Sequence, residues 1–130
     1  MSDELPHGEF VPYAFAEITD GSTRHGAGGN VTLYLDNETN EWVLYFQGYE
    51  ASAAPDARFF LCEHPDPMTR DEIDSCTRLS VPGRGPADVR GDFLVPIPED
   101  VDPQGHGSVV AWDLRFNHRL AVAHLDPMEP

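Results

Sequence analysis

Hydrophobic and polar residues alternate along several short stretches of the chain. The clearest is residues 30–35, where Val31, Leu33 and Leu35 fall on one face and Thr32 and Tyr34 on the other. A period of two is typical of a β-strand with one buried face. Other apolar stretches, bounded by glycine, proline, asparagine or aspartate, predict further strands. They are residues 14–19, 42–46, 58–62 and 93–98, and two more strands around a tight polar turn within residues 108–125.

The segments between these strands carry local signals of their own. Residues 36–40 (Asp-Asn-Glu-Thr-Asn) have turn chemistry and predict a hairpin with a loop of five or six residues. Residues 69–74 predict one helical turn capped by Thr69. Pro96 and Pro98 lack a backbone N–H, so strand 93–98 is expected at the edge of a sheet.

These elements predict an all-β fold. Twelve prolines and eleven glycines interrupt the chain at short intervals, and we find no helix-period segment of useful length. A length of 130 residues is typical of one domain. We therefore expect a single antiparallel β-sandwich or barrel-like domain over residues 8–125, with short loops and at most one short helix. Residues 1–7 and 126–130 are expected to be terminal tails.

The charge balance excludes one class of partner. There are 23 acidic residues and eight basic ones, a net charge of −15, and all eight bases are arginine. Such a chain repels the phosphate backbone of nucleic acids. The charge fits an acidic, solvated surface, and it equally fits adaptation to high salt, where ions screen the self-repulsion. The chain also lacks an apolar run of about 18 residues, so we expect no direct membrane insertion.

Three segments occur in an order that resembles a known family. They are residues 25–31 (His-Gly-Ala-Gly-Gly-Asn-Val), residues 44–61 with Ala-Pro-Asp at 54–56, and residues 93–112, which end in Ser-Val-Val-Ala-Trp. Their order and spacing are similar to the DM-thirteen domain, or electron-transfer DM domain, a small β-rich module of extracytoplasmic proteins. Residues 1–6 lack the apolar core of a signal peptide. We thus expect an extracytoplasmic location if a leader has been removed, and a cytoplasmic one otherwise.

The chain departs from that family after its tryptophan. The family carries a cysteine there, proposed to serve redox chemistry or to hold a prosthetic group, whereas Asp113 follows Trp112 here. A carboxylate offers no thiolate and is a poor haem ligand. If Trp112 and Leu114 face the core, Asp113 and Arg115 share an exposed face, where they would form a surface ion pair.

We therefore expect a non-enzymatic binding or interaction module without the family's redox role, whose partner is an unknown protein or surface ligand. The chain has no Gly-x-Ser-x-Gly elbow, His-Glu-x-x-His pair or phosphate-binding glycine loop. The alternative is an electron-transfer or metal-binding domain that uses Asp113 and nearby histidines.

Two metal sites and one disulfide are candidates. Cys62 and Cys76 would pair in an exported protein and stay free thiols otherwise. No cofactor is predicted beyond a metal ion. The alternative to each metal site is a set of ordinary surface or core side chains. The transition-metal candidates are Asp113, His118 and His124, and the calcium candidates are Asp66, Asp71, Glu72 and Asp74, whose spacing does not fit an EF-hand loop.

Overall fold

The computed structural model describes residues 10–19, 28–50, 57–79, 91–115 and 117–127, without the side chains at 57, 105, 118 and 127. In this part of the chain it contains nine strands, one α-helix and a 3-10 turn at Pro103–Gly105. The elements are β1 (Phe10–Thr19), β2 (Gly28–Asp36), β3 (Glu41–Glu50), β4 (Ala57–Cys62), α1 (Arg70–Asp74), β5 (Thr77–Leu79), β6 (Gly91–Pro96), β7 (Ser108–Asp113), β8 (His118–His124) and β9 (Asp126–Pro127).

The strands form one antiparallel sheet that curls into a half-barrel. Its order is β5-β4-β7-β8-β1-β2-β3-β6, and β9 pairs with β1 beside this path. In the part of the chain that the structure describes, the all-β prediction is confirmed, as are the single short helix and the edge position of the proline-containing strand β6. Within the described ranges, no helix is long and apolar enough to cross a bilayer.

The main core lies inside the curl. Strand β1 joins the two halves of the sheet, because it pairs with β2 along most of its length and with β8 at Ile18 and Thr19. Phe46 and Phe93 stack at the centre with ring centroids 4.7 Å apart, and Phe59 and Tyr49 pack around them. Burying each such ring stabilises the fold by roughly 1.5–3 kcal/mol.

A second, smaller core lies on the outside of the sheet. Residues 63–76, here called the outer flap, cross the outer face of β4, β7 and β8. Ile73 of α1 is fully buried there against a group of apolar side chains. Both faces of β7 are therefore covered, and all six of its residues are buried. The outer-core residues are Phe60, Cys62, Ile73, Val110, Trp112 and Val122.

Two boundaries differ from the sequence predictions. Asp36 pairs with Glu41, so the hairpin loop has four residues, 37–40, and not five or six. The loop can be this short because Asn40 adopts a left-handed conformation (φ 59°), which asparagine tolerates. Asp126 and Pro127, assigned to the C-terminal tail, pair with Phe15 and Ala14 and so belong to the sheet. Residues 1–9, 128–130, and the family-like stretches at 25–27 and 51–56 lie outside the described residues.

Candidate functional site

The outer flap is fixed to the sheet at both ends. Cys62, at the end of β4, forms a disulfide with Cys76, so the predicted pairing is present. At the start of the flap, the Ser108 hydroxyl donates to the carbonyl of His64 at 2.7 Å. Gly107 permits this close approach, because a Cβ there would lie 2.9 Å from the Glu63 carbonyl oxygen. The flap therefore lies tightly against the outer face.

Asp66 ties the middle of the flap to β8. Its carboxylate lies 2.6 Å from the Arg119 guanidinium and 3.5 Å from Nε2 of His124. The hydrogen bond from Arg119 lowers the pKa of Asp66, and His124 contributes in the same direction. Arg119 reaches the flap because the β7–β8 register skips Leu120, and this places Arg119 opposite Trp112 on the outer face.

Both carboxylate oxygens of Glu72 interact with other residues of the outer flap. Glu72 forms a capping box with Thr69, which confirms the predicted helix cap, and its other oxygen lies 2.8 Å from Nε2 of His64. Hydrogen bonding from the backbone N–H of Met68 is the main cause of the lowered pKa of Glu72. The remaining calcium candidates are elsewhere, since Asp74 pairs with Arg70 and Asp71 is exposed. The four predicted calcium ligands therefore do not converge.

The prediction that Asp113 is exposed is wrong. Its exposed fraction is 2%, and its carboxylate accepts a hydrogen bond from the backbone N–H of Arg115 at 2.9 Å. Arg115 itself is exposed, so the two residues do not share an exposed face. The alternation along β7 is as expected, but the outer flap covers the face of Trp112 while the half-barrel covers the opposite face.

The transition-metal candidates lie at both ends of the C-terminal hairpin. Asp113 pairs with His118 through the backbone beside the turn, whereas His124 pairs with Ser108 at the far end. The two histidines are six positions apart along β8, which corresponds to about 20 Å of strand. The side chain of His118 lies outside the described ones. Among the side chains that are described, no three histidines, cysteines or acidic residues are grouped to hold a metal ion.

A groove opens where β1 changes partner. Strand β9 pairs with Ala14 and Phe15, and β8 pairs with Ile18 and Thr19, so the ladder is interrupted between them. The groove has a volume of about 480 Å³ and polar as well as apolar walls. Its side walls come from Phe15, Glu17 and Thr19 on β1 and from His124 and Asp126 on the other side.

The groove combines an aromatic ring with negative charge. Phe15 is 39% exposed, which is unusual for a large apolar side chain on this surface, and Glu17 and Asp126 are exposed carboxylates. Among the described residues that line the groove, His124 is the one basic residue, and it also contacts Asp66 of the outer flap. A ring face and two carboxylates favour a positively charged group. The sequence analysis did not identify this site. One signal was present, because Phe15 lies on the otherwise polar face of strand 14–19.

Comparison with protein-family models, with curated proteins and with solved structures finds no match to this chain.

Proposed function

We propose that this protein is a non-enzymatic binding module that recognises a positively charged group of a partner protein in the groove between β1, β8 and β9. The observation that carries the proposal is the exposed Phe15 in the lining of a groove of about 480 Å³, to which the acidic residues Glu17 and Asp126 also belong. Ligand sites in proteins commonly have volumes of about 300–1,000 Å³ and a few polar groups placed in an apolar lining.

The charge of the whole molecule supports this choice of partner. A net charge of −15 attracts cationic groups over a long range and repels anionic ones. Long-range attraction raises the rate of encounter, while the local arrangement of Phe15, Glu17 and Asp126 would give specificity. Arginine-bearing segments fit this chemistry best, because a guanidinium can stack on a ring and also pair with a carboxylate.

The family and the compartment are part of the proposal. The Cys62–Cys76 disulfide supports an oxidising, extracytoplasmic environment, since such bonds are rare in the cytosol. An antiparallel β-fold is what the resemblance to the DM-thirteen family implies. With Asp113 in place of the family's cysteine, we propose that the redox role is lost and that binding is the remaining function.

Calorimetric titration with the tripeptide Arg-Gly-Arg tests the proposal. We expect the native protein to bind Arg-Gly-Arg saturably and not to bind the acidic tripeptide Glu-Gly-Glu. The double variant Glu17→Gln/Asp126→Asn should bind about tenfold more weakly, because it removes two carboxylate contacts.

A matched control separates the groove from the overall charge. Glu63→Gln/Asp71→Asn removes two exposed carboxylates from the outer flap, so both double variants have a net charge of −13 instead of −15. We expect the control to bind Arg-Gly-Arg like the native protein. Equal weakening by the two double variants would show that the attraction comes from net charge alone and would refute the groove as the site.

A further inference from the structure

A second cavity lies at the β2–β3 turn and shares no residue with the groove. It has a volume of about 210 Å³ and is enclosed by the turn on one side and by the segment that follows β6 on the other. We call it the Trp42 cleft. It is lined by Thr39, Asn40, Glu41, Trp42, Ile97, Pro98 and Glu99.

The walls of the Trp42 cleft are held by interactions on both sides. The backbone N–H of Ile97 donates to the carbonyl of Trp42 at 2.9 Å, which joins the two walls. On the turn, the N–H of Asn40 donates to the Asp36 carbonyl at 2.7 Å. The Tyr13 ring and the indole form a T-shaped pair, with centroids 4.9 Å apart and an interplanar angle of 74°. The indole is therefore held in place before any ligand arrives, and this lowers the cost of binding.

The chemistry of the Trp42 cleft selects a small organic cation. Trp42 is half-buried at the end of the main core, and tryptophan is the side chain whose ring face attracts cations most strongly. Glu41 and Glu99, two exposed acidic residues, belong to the lining, and none of the described lining residues is basic. A hard metal ion needs about six oxygen ligands in a close shell, whereas a weakly hydrated ammonium needs a ring face and a countercharge.

We propose that the Trp42 cleft binds a quaternary ammonium group, with the indole of Trp42 against the cation and Glu41 and Glu99 supplying the countercharge. The volume of about 210 Å³ fits a compact head group and lies below the usual range of about 300–1,000 Å³ for ligand sites. This site is independent of the groove, so either proposal can fail without the other.

Indole resonances in a ¹H–¹⁵N spectrum give a direct test. The chain has two tryptophans, and Trp112 is only 3% exposed, so it serves as an internal reference. Titration with tetramethylammonium chloride should move the Trp42 indole N–H along a saturating curve and leave that of Trp112 unchanged. Potassium chloride at the same concentrations and the neutral isostere tert-butanol should give no saturating shift. A saturating response to either control would overturn the proposal.

Two charge-removing double variants complete the test. Glu41→Gln/Glu99→Gln should weaken tetramethylammonium binding by about fivefold. The outer-flap variant Glu63→Gln/Asp71→Asn removes the same number of charges from exposed positions outside both cavities and should leave the affinity unchanged. Equal losses in both would mean that the cation responds to the net charge and not to the Trp42 cleft, which contradicts the proposal.

Discussion

Asp113 shows that a period-two pattern predicts which face of a strand a residue lies on, but not whether that face is buried. The alternation along β7 correctly places Val110 and Trp112 on one face and Asp113 on the other. What covers each face depends on residues far away in the chain. The outer flap covers one face and the half-barrel covers the other, so an aspartate that alternation places opposite the core is still buried.

The burial of Asp113 predicts a measurable loss on truncation. Asp113→Ala removes the acceptor of the Arg115 N–H and is expected to lower the free energy of unfolding by about 1–3 kcal/mol. Asp113→Asn keeps an acceptor oxygen and should lose less. Urea denaturation measures both, with exposed Asp71→Asn as a control expected within about ±0.5 kcal/mol. An unchanged free energy of unfolding in Asp113→Ala would contradict the buried, hydrogen-bonded position of Asp113.

For individual helices and strands, the local sequence predicts a helix cap, but it does not predict the register between two strands. The helix cap could be predicted because Thr69, a preferred N-cap residue, directly precedes the helical turn, and the structure adds a capping box with Glu72. The register shift at Leu120 could not, since it arises from how β8 meets β7. That shift turns Arg119 toward Asp66, and so a contact that holds the outer flap has no signature in either segment alone.

The lowered pKa of Asp66 predicts a pH-dependent contribution to stability. Because Arg119 depresses this pKa in the folded state, the stabilisation is fully present above the ordinary aspartate pKa of about 3.9 and is lost as the pH falls through the folded value. Asp66→Asn should therefore be less stable than the native protein at pH 7, by under about 1 kcal/mol for a half-exposed pair. Urea denaturation at pH 7 and at about pH 2 measures the free energy of unfolding of both proteins. The difference between them should disappear at the lower pH. An unchanged difference at the lower pH would show that the ion pair contributes nothing.

The disulfide is expected to be the strongest single restraint on the outer flap. Cys62→Ala/Cys76→Ala opens a loop of 14 positions and should lower the free energy of unfolding by about 3 kcal/mol. Alanine is chosen because Cys62 is fully buried and a serine hydroxyl there would add a separate penalty. Differential calorimetry of the oxidised native protein, the reduced native protein and the variant measures the effect. Equal stability of all three would contradict a restraining role.

For the whole molecule, the sequence predicts the fold class, but it does not predict the groove. Frequent prolines and glycines between alternating stretches predicted an all-β domain, and this is the structure. The groove joins Glu17 and Asp126 from opposite ends of the chain, where β1 passes from one partner strand to the next. No local pattern brings those residues together.

The net charge predicts that salt stabilises the fold. With −15 on 130 residues, mutual repulsion destabilises the compact state, and added ions screen it. The melting temperature should rise steeply as potassium chloride goes from low to about molar concentration, where the screening length falls to about 3 Å. Calorimetric scans over this series measure the effect. A flat or falling curve would count against adaptation to salt.

We propose that the groove, and not the acidic surface in general, recognises cationic groups. The most direct measurement is a ¹H–¹⁵N chemical-shift map of the native protein during titration with Arg-Gly-Arg. We expect the largest shifts to fall on Phe15, Glu17, Thr19, His124 and Asp126 and to follow one dissociation constant. Shifts spread over exposed carboxylates around the molecule, with no cluster at the groove, would contradict it.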